Sequence, residues 1–153
     1  MRRNILCTIA LGVIILLIGA CGENAWDDLS TPIQNFIMQY YPEGEVSSQS
    51  TADGKTTVQM KNGATLVFDS DGEWIEVNGN GIPLPQVFLF DQLPDQLYKY
   101  LTETEQTQRV FRVSRNWKEI NVELHDTSVR YDIATGTVTY PSAPAPGEES
   151  ARI

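Results

Sequence analysis

The sequence predicts an α+β fold in which one antiparallel sheet carries both of its helices on the same face. Three observations predict it. Apolar residues recur at helical spacing from Leu29 and again from Leu93. Short runs of alternating polar and apolar residues follow each helix. Turn signals, Asn62-Gly63 foremost, separate those runs.

Residues 1–20 stand apart from that domain. Arg2 and Arg3 form a basic start, Ile5 to Ile18 is almost wholly apolar, and Gly19-Ala20 are small. This is the layout of a secretory signal peptide. The apolar run is about 14 residues, short of the roughly 20 that a spanning helix needs. The run Ile18-Gly19-Ala20-Cys21 resembles the lipobox of bacterial lipoproteins. That resemblance implies cleavage before Cys21 and acyl chains on its sulfur and on the new N-terminus. Two or more chains hold a protein to a bilayer where one alone is marginal. Cys7 leaves with the leader, so the mature chain keeps one cysteine, unable to form an internal disulfide or a thiolate zinc site. Gly22 after the cysteine carries no acidic retention signal, which points to the outer membrane, facing periplasm or exterior.

Residues 21–28 form a tether. The first helix follows, with Leu29, Ile33, Phe36, Ile37 and Tyr40 on one stripe. Ser30 can cap it, Pro32 fits its first turn, and Pro42 and Gly44 end it. A weak strand signal lies at Glu45 to Ser50. Clearer strands run from Thr56 to Met60, through Ala64, Leu66 and Phe68, and from Trp74 to Val77. Residues 29–77 make a first unit. Residues 78–92, rich in glycine and proline at their start, read as a linker. A second unit spans 93–140. Pro94 and Asp95 open a helix with Leu97, Tyr100 and Leu101 inward, and strands follow at about Arg109 to Ser114, Lys118 to Leu124, Ser128 to Asp132 and Thr137 to Tyr140. Residues 141–153 read as a disordered, proline-rich tail.

The two units can be laid over each other. The run LSTPIQNFI from Leu29 matches LPDQLYKYL from Leu93, and Val58 and Met60 then match Val122 and Leu124. Leu66, Phe68 and Asp69 match Val129, Tyr131 and Asp132 with a slip of one residue at the turn. A tandem repeat is expected, each copy too small to hold a stable core alone.

Tyr41-Pro42, Asn62-Gly63, Phe68-Asp69 and Gly72-Glu73-Trp74 together resemble the PepSY-like, beta-lactamase-inhibitor-like periplasmic proteins common in the Bacteroidetes. The second unit keeps Tyr131-Asp132 but has Asp126-Thr127 for the Asn-Gly pair and Gly136-Thr137-Val138 for Gly-Glu-Trp. The resemblance covers residues 27–140. It implies a fold like that of beta-lactamase inhibitory proteins, without implying inhibition.

Chemistry finds little support. The one histidine, His125, falls in a turn, away from any nucleophile–acid pattern. Asp69, Asp71 and Glu73 alternate as in part of a calcium loop, but the full loop pattern is missing. No catalytic residue, metal site or cofactor is expected. The formal charge is −9, and the leader would take two basic residues and no acidic one with it, so nucleic acid is not an expected partner. The alternation of the strands places Gln59, Trp74, Glu76, Arg112, Trp117 and Arg130 on the uncovered sheet face. Tryptophan and arginine are the types enriched at interface hot spots. The expected function is a non-enzymatic envelope lipoprotein binding a protein or peptide through that face, inhibitor-like. The alternatives are an accessory lipoprotein with no specific ligand and a weak metal-binding module.

Lipidation is directly testable. Cys21→Ser is expected to accumulate as the uncleaved, unlipidated precursor, with loss of fatty-acid label on metabolic labelling; unchanged label on the variant removes the assignment of Cys21 as the acylated residue.

Overall fold

Every strand in residues 25–140, the part of the chain that the computed structural model describes, pairs antiparallel with the strand next to it in sequence. The elements are α1 (Thr31–Tyr40), β1 (Val46–Ala52), β2 (Lys55–Met60), β3 (Thr65–Phe68), β4 (Trp74–Asn78), α2 (Gln86–Gln92), α3 (Asp95–Glu103), a 3-10 turn (Thr107–Arg109), β5 (Arg112–Arg115), β6 (Glu119–Glu123), β7 (Ser128–Asp132) and β8 (Thr137–Thr139). The result is α+β with one eight-stranded open sheet in the order β1 to β8. The leader, Cys21 and the tail expected from residue 141 lie outside the described residues.

Local chemistry explains the elements. Ser30 holds the N-cap position of α1 and Pro32 sits in its first turn, though the Ser30 hydroxyl makes no capping bond. Tyr41 closes the helix by donating its N–H to the Ile37 carbonyl at 2.8 Å, and Pro42 prevents continuation. β1 and β2 join through Asp53-Gly54, both at positive φ (51° and 72°), the two-residue turn whose twist matches a hairpin. Asp95 in the first turn of α3 places negative charge at the positive end of the helix. The pairing of Val77 with Val113 joins β4 to β5, so the strands after α1 and those after α3 form one sheet.

The segment expected as a linker, residues 78–92, carries a third helix. α2 buries Phe88 and Leu89 and leaves Val87 and Phe90 exposed. Its apolar residues are consecutive rather than spaced, and glycine and proline precede it, so no helical period shows. Phe88 packs edge-on against Phe36 of α1 at 5.8 Å, Tyr40 of α1 at 5.6 Å and Trp74 of β4 at 5.2 Å between ring centres. Gln92, at the end of α2, accepts a hydrogen bond from the Trp74 indole N–H at 2.7 Å and donates one to the Tyr40 hydroxyl at 2.6 Å.

Buried residues of all three helices and the inward strand residues form one core. Among the described residues no polar or charged residue is buried. Strict alternation would turn Ile75 and Phe111 inward with the core residues, but both are half-buried.

The position of α2 yields a stability prediction. Phe88→Ala should lower the unfolding free energy by about 3–5 kcal/mol, the range for truncating a buried aromatic, whereas Val87→Ala on the exposed side should cost under about 0.5 kcal/mol. Urea denaturation followed by tryptophan fluorescence measures both; equal small effects would remove α2 from the core.

Candidate functional site: the open sheet face

Strand register lays the uncovered face out in rows. Thr57, Val67, Glu76, Ser114, Asn121 and Arg130 form one row across β2 to β7. Gln59, Thr65, Asn78, Arg112, Glu123 and Ser128 form the next. Five of the six expected residues lie on this side of the sheet or at its end. Trp74 does not.

Trp74 is 2% exposed and belongs to the core. The cause is a bulge. Val67 pairs with Glu76 while Phe68 pairs with Trp74, so β4 holds one extra residue, Ile75. One extra residue reverses the alternation on its far side, and Trp74 turns inward against Phe88. Its other flank is covered by Arg115, whose guanidinium lies 4.2 Å from the ring centre. Arg115 also donates to the Trp74 carbonyl at 2.6 Å and to Glu73 at 3.0 Å. Nothing in the sequence pattern singled out Arg115; its role follows from the bulge.

The charges of the open face are largely paired with one another. Arg112 forks between Glu76 and Glu123, 2.9 Å from each. The Glu76 hydrogen bond, with lesser help from Glu123, holds the guanidinium above its usual pKa against the opposing effect of burial, so it stays charged. Arg130 lies 3.5 Å from Glu119 and is more exposed. Gln59 accepts a bond from the Thr65 hydroxyl at 3.0 Å.

Trp117 is 89% exposed, the most exposed of the large apolar side chains described. It stands in the β5–β6 turn on a fixed base. The Asn116 side-chain oxygen accepts from the Lys118 and Glu119 backbone N–H groups at 2.8 and 2.9 Å. Ile133, itself 44% exposed, donates its N–H to the Lys118 carbonyl at 3.0 Å. Trp117 and Ile133 therefore stand on adjoining turns at one end of the sheet.

Two other features were weighed in the sequence. Asp69 accepts the Asp71 and Glu73 backbone N–H groups on one carboxylate oxygen, both at 2.9 Å, which makes it a turn cap. His125 is exposed in the β6–β7 turn, with its ring edge-on to Phe111 at 5.6 Å. Among the described residues no group of three His, Cys, Asp or Glu side chains is placed to hold a metal ion.

Sequence reasoning missed a groove of about 570 Å³ on the helix side of the sheet, beside β1. Trp26, Ile37, Met38, Tyr41, Pro42 and Val46 line it. Tyr41 is 8% exposed, its hydroxyl has no hydrogen-bond partner, and burial holds its pKa well above the usual tyrosine value.

With the geometry described, the chain can be set beside known proteins. The model of the family described as "Putative beta-lactamase-inhibitor-like, PepSY-like" matches residues 54–137. Among solved structures, the chain is similar to a "putative periplasmic protein" of the DUF2874 family from Bacteroides vulgatus: 23% identity, TM-score 0.64, covering 76% of this chain and 92% of that one. It is similar to a "putative calcium-regulated periplasmic protein" from Bacteroides thetaiotaomicron at 21% identity and TM-score 0.65, with 76% and 92% covered. A third, a "putative periplasmic protein of unknown function" from Bacteroides vulgatus, shares 20% identity at TM-score 0.61, with 74% and 93% covered. At these identities the likeness establishes the fold. No curated protein matches.

Beside Ile133, Asp132 offers a test of the turn that carries this patch. Its carboxylate accepts the Thr135 N–H at 2.8 Å and the Thr135 hydroxyl at 2.9 Å, and these bonds, backbone first, hold its pKa below the usual value. The stabilisation is present above the carboxylate's unfolded-state pKa and is lost as pH falls through the lower folded value. Asp132→Asn should therefore reduce the acid-side loss of stability in pH-dependent thermal melts; an unchanged acid limb would show that the turn does not depend on this carboxylate.

Proposed function

The chain belongs to the PepSY-like, beta-lactamase-inhibitor-like family, and from that premise we propose that it is a non-catalytic protein of the cell envelope, binding a protein partner at the turn end of its open sheet face. The single observation that carries this reading is Trp117. A tryptophan 89% exposed on a turn held by two backbone hydrogen bonds to the Asn116 side chain costs solubility without adding to the core. Such a side chain is an apt interface anchor, because it buries a large area with few torsions to freeze. Ile133 extends the apolar patch, and Arg130, 64% exposed in its side chain, supplies a cation on the adjoining face.

The rest of the sheet face suits a rim. Arg112 is ion-paired with both Glu76 and Glu123, so a partner covering them must match or break an existing network. The earlier candidates thus separate: Trp117 and Arg130 remain at the surface as contact residues, Gln59, Glu76 and Arg112 frame them, and Trp74 supports the fold.

An envelope location is supported by the leader and lipobox in the sequence and by the periplasmic descriptions of the structural neighbours. Lipid on Cys21 would tether the domain to the outer membrane. The duplication read in the sequence is supported by the element order, in which four strands follow α1 and four follow α3.

The test is affinity capture from solubilised envelopes with the intact lipoprotein, the parent against Trp117→Ala and Arg130→Ala. Loss of Trp117 is expected to weaken recovery of the partner by about tenfold or more, with melting temperature unchanged. Equal recovery by both variants and the parent would exclude this end of the sheet as the contact.

A further inference from the structure

Among the described residues the sheet ends in two unpaired edges, β1 and β8, and they are not protected alike. β8 is three residues long, Thr137–Thr139, and very short edge strands are one of the ordinary defences against unwanted pairing. β1 is seven residues long, VSSQSTA, with no charge and no proline along it. Its one irregularity is a bulge between Val46 and Ser48, at its start.

The register shows which backbone groups are free. Ala52 and Lys55 flank the two-residue turn, the place of a hydrogen-bonded pair, so pairing with β2 alternates from there. Gln49 and Thr51 therefore direct their backbone N–H and C=O away from β2. Among the described residues no other backbone group pairs with them. An extended backbone is the structure that satisfies such a row.

The groove lies beside the start of the β1 edge. Ile37, Met38 and Tyr41 reach it from α1 and the chain that follows, Val46 and Ser47 reach it from β1, and the Glu45–Lys61 ion pair also lines it. The helix thus overhangs the sheet edge, and Met38 is left 54% exposed. A strand added beside β1 would point alternate side chains under that overhang.

We propose that β1 is a strand-addition site for an extended segment of another protein, with a large apolar side chain filling the groove. Charge selects the occupant. Glu43 before β1 and Asp53 after it have no ion-pair partner among the described residues, while Glu45 is held by Lys61. A second copy paired antiparallel about Gln49 would bring Glu45 of each chain opposite Asp53 of the other. The chain as a whole is also acidic, at −9. The segment that fits is uncharged in the middle and basic at its ends. Backbone pairing then supplies affinity and the groove supplies specificity. This surface is separate from Trp117.

The probe is a capped synthetic peptide of about ten residues, alternating Thr and Val, with Phe at the groove position and Lys at each end. On the full chain it is expected to slow amide exchange at Gln49 and Thr51 and to shift Trp26 emission to the blue. A backbone N-methylated peptide should fail to bind. Gln49→Pro removes an outward N–H and should weaken binding about tenfold. Met38→Glu, an exposed change that leaves the ladder intact, should weaken the Phe peptide more than its Ala counterpart. Absence of exchange protection at about 1 mM peptide overturns the proposal, as does equal binding of the N-methylated peptide. Protection of Gln49 and Thr51 in the free protein also overturns it, as a concentration-dependent dimer would assign the edge to a second copy and a protected monomer to the chain itself.

Discussion

The joint made by Phe88 and Gln92 is the contact on which the rest of the arrangement depends. Gln92 links the Tyr40 hydroxyl of α1 to the Trp74 indole of β4, and Phe88 meets the rings of both. The reason is dimensional. Eight strands at about 4.8 Å spacing make a sheet roughly 34 Å wide, while helices pack about 8–10 Å apart. Two helices leave the middle of such a sheet in water. A third is needed, and α2 supplies it beside β4, the central strand that joins the two runs of four.

Filling the middle of the core has a consequence on the opposite face. Trp74 is available to meet Phe88 because the Ile75 bulge turns it inward. The open face thereby loses one of its two expected tryptophan anchors and is left with small, polar and paired charged residues. That composition keeps one side of an antiparallel sheet compatible with water. The Glu76–Arg112–Glu123 fork spans β4, β5 and β6, the seam between the runs of four, and ties them from the outside as Val77 and Val113 do from within. At this end of the sheet the exposed apolar surface is left to the turns, where Trp117 and Ile133 stand.

Most of the sheet was legible in the sequence because alternation and turn chemistry are local signals. Val58, Leu66, Val113, Val122 and Val129 fall inward as the two-residue period requires, and all are fully buried. α1 and α3 were legible for the same reason at the helical period. Two features were not. α2 has its apolar residues consecutive, with Val87 and Phe90 exposed and Phe88 and Leu89 buried, and a seven-residue helix is too short to display a period. The bulge at Ile75 is a change of phase inside five residues, decided by how Trp74 packs across the sheet. The candidate site inherited that error at Trp74 alone; Gln59, Glu76, Arg112 and Arg130 face as alternation predicts, and Trp117 is set by its turn.

The groove at the β1 edge has the same dimensional origin as α2. Helices spaced at twice the strand repeat cannot align with every strand, so the outermost helix overhangs or falls short. Here α1 overhangs. Ile37 still reaches the core at 1% exposure, but Met38, one residue on and about 100° around the helix, lines the groove beside β1 and is 54% exposed. Tyr41, just past the helix end, is drawn under the overhang with its hydroxyl unpartnered. An apolar side chain in water and a buried donor without an acceptor both cost stability, and both sit beside the uncharged edge strand. One added strand would relieve all three conditions together, by pairing the backbone of β1, covering Met38 and bringing an acceptor within reach of Tyr41.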